Sequence, residues 1–326
     1  MLMKNLHITH PEDLVFDGKD AVQNVIEVFR SAFDDYNQER NSISVKYDGA
    51  PAIVFGTDVT NGRFFVGTKS VFNKNIKKIC YTHACIDYYY SSKDSLATIL
   101  KLCLDYLPRV GGVYQADFIG LGDGNLDEFT PNTITYKFDK SPTEDIIMAM
   151  HTAYVGSDFD DMIAVPQYGI TMPGLHVKWI DERVEHNDKK LYVLAFEAAM
   201  RSVVDKLELI GDDFPEFKSK AAKARVLKYI NTYVRANDVI DIDELVSLTD
   251  IDERVFELYL LIMEAKEILI NRFEPVEDCT CYVNGVESEH EGLVVTNFET
   301  CKKIKLVRRY SFSRNNFNNS KFAVAQ

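Results

Sequence analysis

Residues 44–56 read SVKYDGAPAIVFG: one lysine, Lys46, stands inside an apolar run, Asp48 and Gly49 follow it at once, and a β-branched run then resumes. Lysine is among the residues least often buried without a partner. Its place between Val45 and Tyr47 therefore calls either for snorkelling to the surface or for chemistry. Taken alone, Lys-x-Asp-Gly is a four-residue pattern that recurs by chance, and an ordinary edge lysine satisfies it. The apolar runs on either side read as strands over 43–47 and 52–55. A third over 64–68 follows Asn61-Gly62, a strong hairpin signal.

Upstream, Val22, Val25, Ile26, Phe29 and Phe33 recur at helical spacing and predict a helix over 20–36 that packs beneath a sheet. Downstream, residues 95–107 read as a helix with Leu96, Ile99, Leu100 and Cys103 on one side, ended before Pro108. Strand patterns follow over 113–118, 133–138 and 146–154. After Trp179 the period changes: 191–209, 217–234, 244–248 and 255–273 are helical in pattern, with polar links at Asn237-Asp238 and 250–252. Strand patterns return over 280–283, 292–296 and 303–308. The expected fold is α+β, divided into a mixed sheet domain over 1–180, a helical insert over 181–275, and returning strands with a tail over 276–326. The asparagine-rich RNNFNNSKF near the end reads as a loose tail.

Composition bounds the function. With 326 residues, 46% of them hydrophobic and 27% charged, the chain can bury a substantial core and reads as a soluble globular protein. No apolar stretch approaches the roughly 18 to 20 residues that span a bilayer, and the amino terminus lacks an apolar signal core, so a cytoplasmic protein without a membrane partner is expected. A net charge of -13 argues against a protein that coats nucleic acid non-specifically. It leaves room for a local basic cleft, and cations gather at Arg63, Lys69, Lys74, Lys77 and Lys78, then at Lys302, Lys303, Lys305, Arg308, Arg309 and Arg314. A solvated face explains the first cluster equally well. The six cysteines are expected to be reduced thiols. Neither the Cys80, His83, Cys85 group nor Cys279 with Cys281 has paired C-x-x-C spacing, so no structural metal is expected. His151 is expected to be a strand histidine satisfied by a neighbour.

Four segments then fall in a telling order. Lys46-Tyr47-Asp48-Gly49 is followed by Tyr114-Gln115-Ala116-Asp117, by Glu291-Gly292-Leu293-Val294 and by Lys303-Ile304-Lys305. In this the chain resembles the covalent lysine nucleotidyltransferase superfamily: ATP-dependent DNA ligases, RNA ligases and mRNA capping enzymes. The first segment matches the K-x-D-G nucleophile motif, the third E-G-x-V and the fourth K-x-K. The second departs from aromatic-x-Gly-Glu, having Ala and Asp for Gly and Glu. Thr68-Lys69-Ser70 stands where the family has an S-R or S-K element, and 148–154 where it has a nucleotide-stacking strand. The likeness covers about 42–306 apart from the helical run. With FTPNTITY and IIMAMHTAY, the phage-encoded RNA ligase-like proteins are the nearest general likeness.

The resemblance implies a ligase-type nucleotidyltransferase domain of antiparallel sheets flanked by helices. Too few residues follow Lys305 for a C-terminal OB domain, which favours RNA ligases over DNA ligases and capping enzymes. It also implies ATP and Mg2+, with Mn2+ as a substitute, and a nucleic-acid partner with a 5′-phosphate end, RNA preferred. Lys46 would attack the α-phosphorus. A free lysine, with a pKa of about 10.4, is almost wholly protonated at neutral pH, and nearby cations and burial favour the neutral amine. Lys303 and Lys305 alternate on one strand face and would stabilise transferring charge. Glu291 would serve the metal, and Asp117 the ribose hydroxyls or the metal. Gly49 would admit the nucleotide close to the backbone. Asp48 would orient the lysine or act as a turn residue, and Val45 and Lys69 complete the expected nucleotide site. Two other functions stay open: a transferase that adenylates a small molecule or protein, and a retired ligase fold that binds partners through its helices.

Overall fold

The computed structural model describes residues 9–34, 40–166, 172, 174–187, 190–217, 219–297 and 303–310. Cys301, Lys302, Arg314 and the 314–322 segment lie outside these, as does most of the amino-terminal stretch. The fold is α+β with antiparallel sheets, to one of which a strand is added in parallel. The described residues form two compact units, one of Lys46–Arg183 with Pro275–His290, the other of 9–45 with Val184–Glu274 and 291–310.

In chain order, α1 (Lys19–Asp34) and β1 (Asn41–Lys46) lead into β2 (Ala52–Thr57), β3 (Phe64–Gly67), α2 (His83–Tyr90), α3 (Asp94–Tyr106) and β4 (Val113–Gly120). Then come β5 (Glu128–Phe129), β6 (Thr135–Phe138), β7 (Ile146–Val155), β8 (Ile163–Pro166), β9 (Val177–Trp179) and β10 (Val184–His186). Four helices follow: α4 (Lys190–Ile210), α5 (Lys220–Ala236), α6 (Ile242–Thr249) and α7 (Glu253–Ile270). The last strands are β11 (Phe273–Pro275), β12 (Cys279–Val283), β13 (Val286–Ser288), β14 (Gly292–Asn297) and β15 (Lys303–Val307).

The first unit is built on a sheet ordered β3-β2-β4-β7-β8, with β9 added parallel to β7, and on a smaller sheet ordered β13-β12-β6-β5. Alternation along β2 sends Ile53 and Phe55 to one face and Val54 to the other. Ile53, Phe55, Ala116, Phe118, Met148 and Met150 pack with Ile86, Leu100, Cys103 and Leu104 of α2 and α3. Val54, Phe65, Val113, Tyr154, Phe159 and Met162 form the opposite cluster. The β2–β3 hairpin turns through a longer loop than Asn61-Gly62 alone suggests, since Thr57 already pairs with Phe64. Asp58 holds this loop, its Oδ1 accepting from the Thr60 amide at 2.8 Å and its Oδ2 from Asn61 Nδ2 at 2.9 Å. Helix α3 stops because Leu107, extended, precedes Pro108, which disfavours a helical residue before it.

In the second unit β14 lies between β1 and β15, and β10 pairs with β11. The polar links read between the helices are their caps. Ser219, Asp241 and Asp252 accept amides at the starts of α5, α6 and α7, while Asn237 and Asp250 end α5 and α6 in the left-handed region. The helical pattern over 255–273 stops at Ile270 because Phe273 pairs away into β11, a tertiary preference that overrides the periodicity. A buried ion cluster joins distant segments of this unit. Lys266 Nζ meets Glu12 Oε1 at 2.8 Å, and Arg309 Nη1 meets Glu12 Oε1 at 3.1 Å and Asp13 Oδ1 at 2.7 Å. Burial alone would raise the Glu12 carboxyl, yet Lys266 and Arg309 hold it down to about 2.

Candidate active site

Lys46 is the last residue of β1 and is half-buried, and the division between the two compact units falls just before it, after Val45. The two residues that follow it, Tyr47 and Asp48, are buried. Asp48 is fixed by hydrogen bonds that the sequence does not announce. Its Oδ1 accepts from Asn132 Nδ2 at 2.8 Å, and its Oδ2 accepts from the amides of Thr133 at 2.8 Å and Ile134 at 3.3 Å. Its own amide donates to the Tyr136 hydroxyl at 2.6 Å. The FTPNTITY segment is thus the other half of the K-x-D-G turn, and β6 begins at Thr135, later than expected, because the two preceding amides are spent on Asp48.

Gly49 and Asp117, far apart in sequence, are in contact in the fold. The Ala50 amide donates to Phe118 O at 2.9 Å and the Phe118 amide to Pro51 O at 3.0 Å, after which β2 pairs with β4 so that Ala52 lies opposite Asp117. A Cβ added at Gly49 would stand 2.6 Å from Asp117 Cβ and 2.9 Å from Ile119 Cδ1. Glycine is required here by the close approach of β4.

Asp117 Oδ1 lies 3.4 Å from His151 Nε2 across β4 and β7. The ladder shifts register between Gln115 and Ala116 opposite this histidine. Its Nδ1 meets Thr152 Oγ1 at 2.7 Å and its Nε2 meets Gln115 Nε2 at 3.3 Å. His151 is therefore a satisfied strand histidine, as expected, but one of its neighbours is the candidate acid. Sequence reading missed Glu182, in the WIDER segment after the first strands. It is buried, its Oε2 has no hydrogen-bond partner, and burial followed by repulsion from Asp117 and Asp181 pushes its carboxyl well above the usual range. The only signal was a Glu beside an Asp after an apolar pair, indistinguishable from a solvated turn.

Lys69 opens the short 3-10 turn Lys69–Phe72 after β3 and is exposed. The hairpin register carries it to the same end of the sheet as Asp117, two strands away, or about 10 Å at ordinary strand spacing. The sheet does not bring it against that acid.

In the second unit, Val45 is buried in β1, and Glu291, also buried, immediately precedes β14. Lys303 and Lys305 lie opposite Thr296 and Val294, half-buried on one face of β15, while Ile304 and Leu306 are buried on the other. Burial lowers the Lys303 amine below its usual value, the direction a lysine takes when water is withdrawn. Gly292 has a φ of +148°, and a Cβ there would fall 2.0 Å from Leu306 O. Only glycine allows β15 so close, and the turn of the backbone at Gly292 interrupts strand alternation just after Glu291.

A family model described as "Family of unknown function (DUF6267)" matches residues 5–251 and 248–321. The chain belongs to this family. Comparison with curated proteins and with solved structures gives no match. Among the described residues, no helix is long and apolar enough to cross a membrane.

Proposed function

We propose that this DUF6267 chain is an ATP-dependent polynucleotide ligase, with RNA preferred over DNA, that works through a covalent lysyl-AMP on Lys46. The reading rests above all on one observation: the K-x-D-G turn is clamped through Asp48, and its glycine packs directly on the β4 acid, Asp117.

In the proposed reaction the Lys46 ammonium gives up a proton and its Nζ lone pair attacks the α-phosphorus of ATP. A P–N bond forms, the bond to the β-phosphate oxygen breaks, and pyrophosphate leaves. A 5′-phosphate oxygen then displaces Lys46 from the adenylyl group, and a 3′-hydroxyl finally displaces AMP to form the phosphodiester. Lys303 and Lys305 are the cations assigned to charge on the transferring phosphoryl group. Lys69 and Val45 belong to the nucleotide site in the same proposal.

The donors suit a hard divalent cation. Asp117 and Glu291 are the carboxylates that this reading assigns to it. Bound Mg2+ or Mn2+ would neutralise phosphate oxygens, and these residues are the ones that would hold it.

The test is incubation of the purified protein with α-labelled ATP and Mg2+, followed by denaturing electrophoresis and peptide mapping. Label on Lys46, absent in Lys46→Ala and released by a 5′-phosphorylated RNA to give a sealed product, is expected. Label that no 5′-phosphorylated strand releases would shift the acceptor to a small molecule or protein. No label with any nucleoside triphosphate would leave a binding module in place of an enzyme.

A further inference from the structure

The smaller sheet of the first unit gathers three soft donors that the nucleotidyl-transfer reading does not use. Cys279 and Cys281 are two residues apart on β12, opposite Phe138 and Tyr136 of β6, so strand alternation sends both thiols to one face. His290 follows β13, whose Ser288 pairs with Cys281, and its ring turns back to the same place. Cys281 Sγ lies 3.4 Å from His290 Nδ1, and one donor atom from each of the three residues lies within 4.8 Å of the other two. Sequence spacing argued against a metal because C-x-C lacks the usual two-residue gap. On a strand the one-residue gap is what places both sulfurs side by side.

Around zinc, with metal–sulfur bonds of about 2.3 Å and metal–nitrogen bonds of about 2.0–2.1 Å, tetrahedral angles separate sulfur from nitrogen by about 3.6 Å and sulfur from sulfur by about 3.8 Å. The observed separations are those of donors that need only small rotations to close on one ion. Cys281 is buried, while Cys279 and His290 are half-exposed, which leaves a route of entry. The histidine is also held in orientation. Its ring meets Tyr47 edge-on at 5.5 Å between centroids and lies 6.3 Å from that of Tyr136. Two thiolates and an imidazole select a thiophilic, borderline-soft cation over magnesium or calcium.

We propose that Cys279, Cys281 and His290 form a zinc-binding site whose fourth tetrahedral position is left to water or an added ligand. The ion would tie β12 to the segment after β13 and so brace the two tyrosines, one inside the K-x-D-G turn and one hydrogen-bonded to the Asp48 amide. This inference stands whether or not Lys46 accepts a nucleotide.

The experiment is cobalt substitution of the full chain, purified under reducing conditions and stripped with a chelator. One equivalent of Co2+ should produce the near-ultraviolet thiolate charge-transfer band and the intense visible bands of tetrahedral cobalt, and one equivalent of Zn2+ should bleach them. Cys279→Ser and His290→Asn, at half-exposed positions that leave the core intact, should lose the bands, while Cys85→Ser keeps them. Thermal melts of the same proteins should show Zn2+ raising Tm in the wild type and in Cys85→Ser only. Absence of the bands in folded, fully reduced wild-type protein, or bands of equal intensity in the Cys279→Ser, His290→Asn double variant, would overturn the proposal.

Discussion

Replacing Asp48 by alanine tests whether the K-x-D-G turn owes its shape to a carboxylate and not to local propensity. The side chain accepts hydrogen bonds from Asn132 Nδ2 and from the amides of Thr133 and Ile134. Alanine removes all three acceptors at once. The part-buried Asn132 amide can turn to water, whereas the two backbone amides sit in a buried setting where losing an acceptor costs about 1–3 kcal/mol each. The Thr133 bond, at 2.8 Å, belongs in the middle of that range and the Ile134 bond, at 3.3 Å, at its lower end. The expected destabilisation is about 3 kcal/mol, a large fraction of an ordinary domain's stability. Asparagine in the same place can still present one oxygen to both amides while Asn132 flips its own amide, so Asp48→Asn should lose only the charge-assisted share, about 1 kcal/mol. Urea unfolding followed by tyrosine fluorescence and circular dichroism gives both numbers, provided the slope against urea is unchanged. An Asp48→Ala protein within about 0.5 kcal/mol of wild type, the usual scatter for a surface change, would refute the clamp.

Three further outcomes follow from the same geometry. Gly49→Ala drives a Cβ to 2.6 Å from Asp117 Cβ and should cost about 1–3 kcal/mol, read as a lowered Tm; an unchanged Tm would mean that β4 does not press on the turn. Glu182 has a raised folded pKa, so its contribution is fully favourable below the ordinary carboxylate pKa and is lost as pH rises through the folded value. Glu182→Gln should therefore gain on wild type by up to about 1.4 kcal/mol per pH unit between the two values, and parallel stability curves from pH 4.5 to 7 would contradict the assignment. Lys266→Met removes a cation at 2.8 Å from the buried Glu12, leaving Arg309 at 3.1 Å beside it, and should cost about 3 kcal/mol. Adding Glu12→Gln should recover part of that loss in a double-mutant cycle, and strict additivity would show the two groups to be uncoupled.

The local pattern of residues determined most of the elements. Alternation around Lys46, the helical period over 20–36, and the switch to helices after Trp179 follow from which side chains must leave water, a property each segment carries by itself. The order of Lys46, Asp117, Glu291, Lys303 and Lys305 was likewise legible, because a motif is a local string. Tertiary structure decided what those strings touch. That Asp48 closes on 132–134, that Gly49 meets Asp117, and that His151 sits against the same acid all depend on strand pairings between segments distant in sequence. The helix expected to 273 ended early for the same reason, since Phe273 joins β11. Glu182, and the place of His290 beside Cys279 and Cys281, lay beyond sequence reading. A buried oxygen without a partner and three donors within one coordination sphere are statements about surroundings, and surroundings exist only once the chain has packed.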